Sequence, residues 1–272
     1  MQLKAPAISI ILLACVFCCA ARTSRNLEVQ SPSQIRPIAA SLALSPGVVQ
    51  VKAQPGASST HILTMTNLTG TRFGFVLEAL DVVTRDGKRV FVPAGETEGG
   101  IARSAVFVPR AIVLNPGEAG KVEVTFTIPA EPKVRAVVAI FHGRTALPGT
   151  GSFMITGSLG TLITYNLSTK TEIRAGAPTI SPQTDYANLQ VSERLENVGQ
   201  EPVVPKGTLA ILRSSGELIG RVAIQPNRLL PGESFDCKVE YPHTLRAGKY
   251  RAMLSIQYEG GVQTNSVEFQ VE

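Results

Sequence analysis

Chemistry in this chain would have to come from few residues: His61, His142, His243, the thiol of Cys237 and acids such as Glu193. A protein-bound zinc needs imidazoles or thiolates at short, regular spacing, so that one element presents two ligands together. The histidines stand at no H-x-x-H or H-E-x-x-H spacing, and Cys237 has no second cysteine near it. Gly149-Thr150-Gly151 lacks the third glycine and the strand-then-helix setting of a phosphate cradle, and reads as a loop. No G-x-S-x-G occurs, and no nucleophile–base pair stands out. These residues nominate no catalytic residue, no cofactor site and no metal site, and the expectation is a protein that is not an enzyme. Cys237 alternates with Phe235 and Val239, as a small core residue does. Glu193 falls on an apolar face between Val191 and Leu195, where a bulge at Ser192–Arg194 would re-aim it.

The elements that must position these residues are strands. Val122, Val124, Phe126 and Ile128 face one way while Lys121, Glu123, Thr125 and Thr127 face the other, the period of a half-buried antiparallel strand. Asp86-Gly87 sits between apolar runs, a tight-hairpin signal because glycine accepts positive φ without cost. Tyr250 follows Leu245-Arg246-Ala247-Gly248-Lys249, where the tyrosine of an immunoglobulin-type corner would stand, and Val134 takes that place earlier in the chain. No segment keeps a helical period.

Two turns are nearly the same. Leu114-Asn115-Pro116-Gly117-Glu118 precedes KVEVTFTI, and Leu229-Leu230-Pro231-Gly232-Glu233 precedes SFDCKVEY. In each, proline presets a turn and glycine completes it, with the glutamate expected to exit to solvent. The two prolines are 115 residues apart, Gly143 and Gly260 are 117 apart, and the turn residues Asn67 and Asn197 are 130 apart. The first unit thus carries 15 extra residues before its PGE turn, around DGKRV and GETEGG. Such a period fits β-sandwiches of about 100 residues. The expected fold is all-β, two tandem immunoglobulin-like sandwiches over residues 42–170 and 171–272.

Ahead of them, Lys4, the apolar run AISIILLACVF and the small residues CCAA make residues 1–21 a signal peptide. Two exits are open: cleavage after Ala20 or Ala21, or lipidation of Cys15 within the lipobox-like Leu12-Leu13-Ala14-Cys15. Residues 22–41 read as a flexible linker. After cleavage 25 Lys and Arg face 21 Asp and Glu, spread without a basic run, so nucleic acid is not an expected partner. Three of the four cysteines lie in the leader, which leaves Cys237 alone and excludes an internal disulfide.

The stretches VKAQPGASSTHILTMTNLTG, LNPGEAGKVEVTFTIPAEPKVRAVVAIF and SLGTLITYNLS resemble the first domain of periplasmic pilus-assembly chaperones. The resemblance implies a periplasmic or extracellular protein that binds or helps assemble another envelope protein through an exposed edge strand. The candidate strand holds Met154, Ile155, Leu162, Ile163 and Tyr165. Those chaperones hold a subunit's terminal carboxylate with an arginine near the first strand and a lysine in the seventh. The matching places here read LALSPG and SLGTLITY and hold no basic residue, though Lys170 and Arg174 lie nearby. The alternative is a passive spacer, or a surface protein whose only membrane contact is a lipid on Cys15.

Overall fold

Pro46 breaks the first strand in two, and the halves join different sheets. The computed structural model, which describes residues 41–146, 154–181 and 188–272, has β1 (Leu42–Ser45) antiparallel to β3 (Ser58–Asn67). β2 (Val48–Lys52) crosses over and runs parallel to β10 (Met154–Asn166). A proline has no N–H to continue the first ladder, so the chain leaves it there.

The first sheet has the order β1, β3, β8 (Ala119–Thr127) and β6 (Val106–Val108). The facing sheet runs β2, β10, β9 (Ala136–Ala146), β4 (Phe73–Arg85) and β5 (Lys88–Pro93), with β7 (Ala111–Leu114) on the other stretch of β4. Between them Phe75, Phe126, Phe141, Leu63, Met65 and Tyr165 are buried. Part of the extra sequence of this unit is a 3-10 turn, Ala102–Ser104. The buried Asp81 carboxylate accepts the N–H groups of Ile101 and Ala102, each at 2.8 Å, and so pins that turn to β4.

A second sandwich follows. β13 (Leu189–Asn197) has β11 (Ile173–Ala175) and β12 (Thr179–Ser181) along one side and β16 (Ser234–Tyr241) along the other. Its facing sheet is β15 (Leu218–Ile224), β14 (Lys206–Arg213), β17 (Gly248–Tyr258) and β18 (Gly261–Val271). Leu189, Leu195, Leu254, Ile256 and Cys237 pack between these sheets. The protein is therefore all-β, built as two immunoglobulin-like sandwiches.

The repeated motifs turn out to be halves of one device. In the first sandwich Gly117 N–H donates to Asn67 O at 2.7 Å, and Asn67 N–H donates to Glu118 O at 2.9 Å. The buried Asn67 amide also donates to the carbonyls of Leu114 and Thr71. In the second, Gly232 N–H donates to Asn197 O at 2.8 Å, Asn197 N–H to Glu233 O at 2.9 Å, and the Asn197 amide to the carbonyls of Leu229 and Glu201. Both glycines have positive φ, 78° and 74°, as the second central residue of a type II turn requires. Neither glutamate leaves its turn: Glu118 Oε2 accepts Asn115 N–H and Glu233 Oε2 accepts Leu230 N–H, each at 2.8 Å. An exiting side chain would have left the Leu230 N–H, on a buried residue, without a protein partner, and the exposed Asn115 N–H to solvent.

Two further expectations meet opposite outcomes. Tyr250 donates to Arg246 O at 2.7 Å, closing the corner, while Val134 in the first sandwich is simply buried. Glu193 is not re-aimed by a bulge. The β13–β16 register runs unbroken from Leu189 to Glu196, so Glu193 points inward opposite Cys237 and accepts the Asn265 amide at 2.6 Å. Hydrogen bonding to Asn265 made the inward position tolerable without breaking the ladder.

Candidate functional site

β10 has two unlike halves. From Leu162 to Asn166 it lies between β9 and β2, paired on both sides. From Met154 to Thr161 it pairs with β9 alone, and among the described residues no strand covers its outer edge. Leu162 N–H points outward and donates to Gly47 O at 3.0 Å. Alternate residues of a strand send their backbone groups the same way, so Thr156, Ser158 and Gly160 present theirs to an empty edge.

The five residues expected on a binding edge divide accordingly. Met154 and Ile155 belong to the open half, and Ile155 is 46% exposed. Leu162, Ile163 and Tyr165 stand where β2 occupies the edge. Ile163 and Tyr165 are fully buried core residues, and Tyr165 shares a 2.8 Å hydrogen bond with Ser59. Burial pushes the Tyr165 hydroxyl up to about 12. Alternation along β10 looked continuous in sequence, and nothing there marked where β2 begins to cover it. Cys15 lies outside the described residues.

Hollows flank the open half on both faces. On the inner side the two sheets part, leaving a cleft of about 420 Å³ between Leu42, Phe73, Ile155 and Leu159. On the outer side Leu80, Phe91, Val138, Ile140 and Leu162 line a recess of about 340 Å³ beside Gly160. A side chain at position 160 would sit 2.7 Å from Val138 Cγ2, so glycine keeps this recess open. An apolar outer face is unusual for an antiparallel sheet, whose exposed side is ordinarily polar.

The histidines scatter. His61 is half-buried near Ser59, and burial lowers its pKa. His243 packs edge-on against Tyr241. His142 stands between Glu78, at 2.9 Å, and Ser158, at 3.0 Å. That order of acid, imidazole and hydroxyl is a nucleophile's arrangement, unforeseen because three adjacent strands supply it. The His142 and Glu78 side chains are 40% and 52% exposed on the sheet face, without the enclosure that gives such a relay its force. Its visible effect is to tie the open half of β10 to β9 and β4. Burial, with the Glu193 carboxylate opposite, pushes the Cys237 thiol up to about 11, the direction of an inert thiol. Among the described residues no group of three His, Cys, Asp or Glu is placed to hold a metal ion.

Where β10 meets the second sandwich the site is polar. Arg228, on the segment before the second PGE turn, donates to Thr164 Oγ1 at 2.6 Å and Gln50 Oε1 at 3.2 Å. Arg89 of β5 donates to Glu233 Oε2 at 2.8 Å and to Arg228 O at 3.1 Å. Leu230 is buried against Val82, Ala136 and Val138. The stretches LALSPG and SLGTLITY hold no basic residue, and Lys52, at the end of β2, pairs with Glu259 at 2.9 Å. A cation arrives instead from the second sandwich, which only tertiary structure could reveal.

No protein-family model matches the chain, and no curated protein matches it significantly. Among solved structures it is similar to the class 5 fimbriae chaperone CfaA, at 14% identity and a TM-score of 0.41, covering 85% of this chain and 99% of that one. It is also similar to the CsuC–CsuE chaperone–tip adhesion subunit complex of Acinetobacter baumannii, at 13% identity and 0.39, covering 84% and 98%. The E. coli chaperone DraB gives 16% identity and 0.37, covering 85% and 98%.

Proposed function

We propose that this chain is a non-catalytic, exported protein that binds another envelope protein by adding the open half of β10 to the partner's sheet. The observation that carries this is the edge itself. Met154–Thr161 reads MITGSLGT, eight residues with no charge and no proline. Proteins ordinarily blunt such edges with lysine, proline or brevity, because unpaired backbone groups recruit other strands. The remaining edges of this sandwich are blunted: β5 carries Lys88, Arg89 and Pro93, β2 ends on Lys52, β1 has four residues followed by Pro46, β6 three followed by Pro109, and β7 only four. An unprotected edge flanked by apolar hollows suits an extended partner strand, whose side chains alternate between the inner cleft and the outer recess. The likeness to pilus chaperones agrees with this reading, and the edge carries it.

The test is Thr156→Pro in the full chain. Its N–H points outward, so proline there removes an edge donor and leaves the β9 ladder whole. Wild type should recover a stoichiometric partner from envelope extract, and the variant should recover at least tenfold less with an unchanged circular dichroism spectrum. Equal recovery by both contradicts strand addition. Recovery of nothing by wild type favours the spacer alternative.

A further inference from the structure

The first sandwich carries an edge strand that the second lacks. β6 pairs with β8 through Val106–Thr125, Phe107–Val124 and Val108–Glu123, and the Phe107 side chain is buried beneath it. The two PGE turns are 115 residues apart, so Thr125, Val124 and Glu123 correspond to Glu240, Val239 and Lys238 of β16. The element after β6 is kept, since the Phe73–Leu114 pair of β4 and β7 recurs as the bridge between Val203 and Leu229. Only Gln225–Arg228 separate β15 from that bridge. Four residues are too few to cross to the other sheet, form a strand and return.

Among the described residues β16 therefore pairs with β13 alone, and beside its free edge lies a cleft of about 470 Å³ lined by Val222, Ile224, Cys237 and Val239. Asn197 N–H donates to Glu233 O, so the odd-numbered residues of β16 bond to β13. The even-numbered residues turn their backbone groups outward. Ser234 is one of these, but its N–H is taken by Gly87 O at 3.0 Å, so the free edge begins at Asp236. Lys238 and Glu240 are exposed and meet no opposite charge among the described residues, whereas Asp236 has Arg194 at 3.5 Å.

Charges of one sign along an edge deter other strands. Lys238 and Glu240 differ in sign, and a copy of the same strand run antiparallel can cancel both. A two-fold axis at Val239 sets Lys238 opposite Glu240 of the second copy, twice, and clears the Gly87 hairpin. An axis at Lys238 would set that lysine against itself and Asp236 against Glu240. An axis at Cys237 would drive Glu240 of the second copy onto Gly87. The axis that satisfies the charges is also centred where β6 would be, because Val239 corresponds to the residue that Phe107 opposes.

We propose that a second copy of this chain occupies the free edge of β16, antiparallel about a two-fold axis at Val239, so that each copy supplies the edge strand the other lacks. The contact belongs to the second sandwich and stands apart from strand addition at β10.

The experiment is sedimentation equilibrium of the full chain, with circular dichroism to check the fold of each variant. Wild type should fit a monomer–dimer equilibrium. Lys238→Glu and Glu240→Lys should each weaken the dimer by about tenfold, because two opposite-charge contacts become two like-charge ones. The double variant should restore it. Glu123→Lys, at the corresponding place beside β6, and Thr156→Pro, on the β10 edge, should both leave it unchanged. A wild type that stays monomeric overturns the proposal, as does a dimer indifferent to either single substitution. So does a double variant as weak as the single ones, or a dimer lost in Thr156→Pro, which would lie on β10 instead.

Discussion

The two PGE turns share an inner design and differ in what lands on them. Each is clamped by a buried asparagine from a distant turn, Asn67 or Asn197, and each glutamate caps its own turn. The first turn is exposed. Onto the second comes the Asp86-Gly87 hairpin: Ser234 N–H donates to Gly87 O at 3.0 Å, and Arg89 reaches Glu233. Asp86 and Gly87 both have positive φ, as a tight two-residue hairpin demands, which brings the tip close enough to bond. A duplicated element that stabilised one sandwich has become, in its second copy, the seat on which the other sandwich rests. The extra sequence of the first unit is what reaches it.

Breaking the shared part should show the largest effect. Asn67→Ala and Asn197→Ala each strip several buried hydrogen bonds and should each cost about 3 kcal/mol in denaturant unfolding. A silent variant in either sandwich would end the equivalence. Next comes the part that differs. Glu233→Gln leaves Arg89, only 28% exposed, without its charge partner and should cost about 2 kcal/mol, against about 0.5 kcal/mol for Glu118→Gln. Equal costs would mean that the second turn is not a seat. Tyr250→Phe removes one bond with no counterpart in the first sandwich, and should cost about 1 kcal/mol.

The smallest effect depends on pH. Burial holds the Glu193 carboxyl above its ordinary value of 4.5, with the Asn265 bond opposing. The folded state then holds a proton that the unfolded chain releases, so stability falls as pH rises from about 4.5 through the raised value. Glu193→Gln has no such proton. In denaturant unfolding it should match wild type near pH 4 and be the more stable of the two at pH 7. A constant difference across that range would show that the carboxyl does not titrate there.

Much of this was legible in the sequence, and the gaps share a cause. Turn chemistry is local, so Asp86-Gly87 and both PGE turns could be read from neighbouring residues. Period-two alternation likewise announced β8 and β16. Register is not local. The break at Pro46 that sends β2 to the other sheet decides which half of β10 stays open, and it is set by pairing partners far along the chain. Ile163 and Tyr165 looked like edge residues for that reason. The tie of Ser158 to His142 and Glu78 depends on the same register. Glu193 was misjudged because its tolerance inside comes from Asn265, on a strand 72 residues later. Arg228 was missed because the cation and the strands it serves belong to different sandwiches.

The open edge of β10 can be tested directly by residue-resolved amide hydrogen exchange on the full chain. The account predicts an alternating pattern: fast exchange at Thr156, Ser158 and Gly160, slow exchange at Gly157, Leu159 and Thr161, and slow exchange throughout from Leu162 onward. Partner binding should then protect the three fast amides. Uniform protection from Met154 to Asn166 in the free protein would show that something already covers the edge, and would contradict the account.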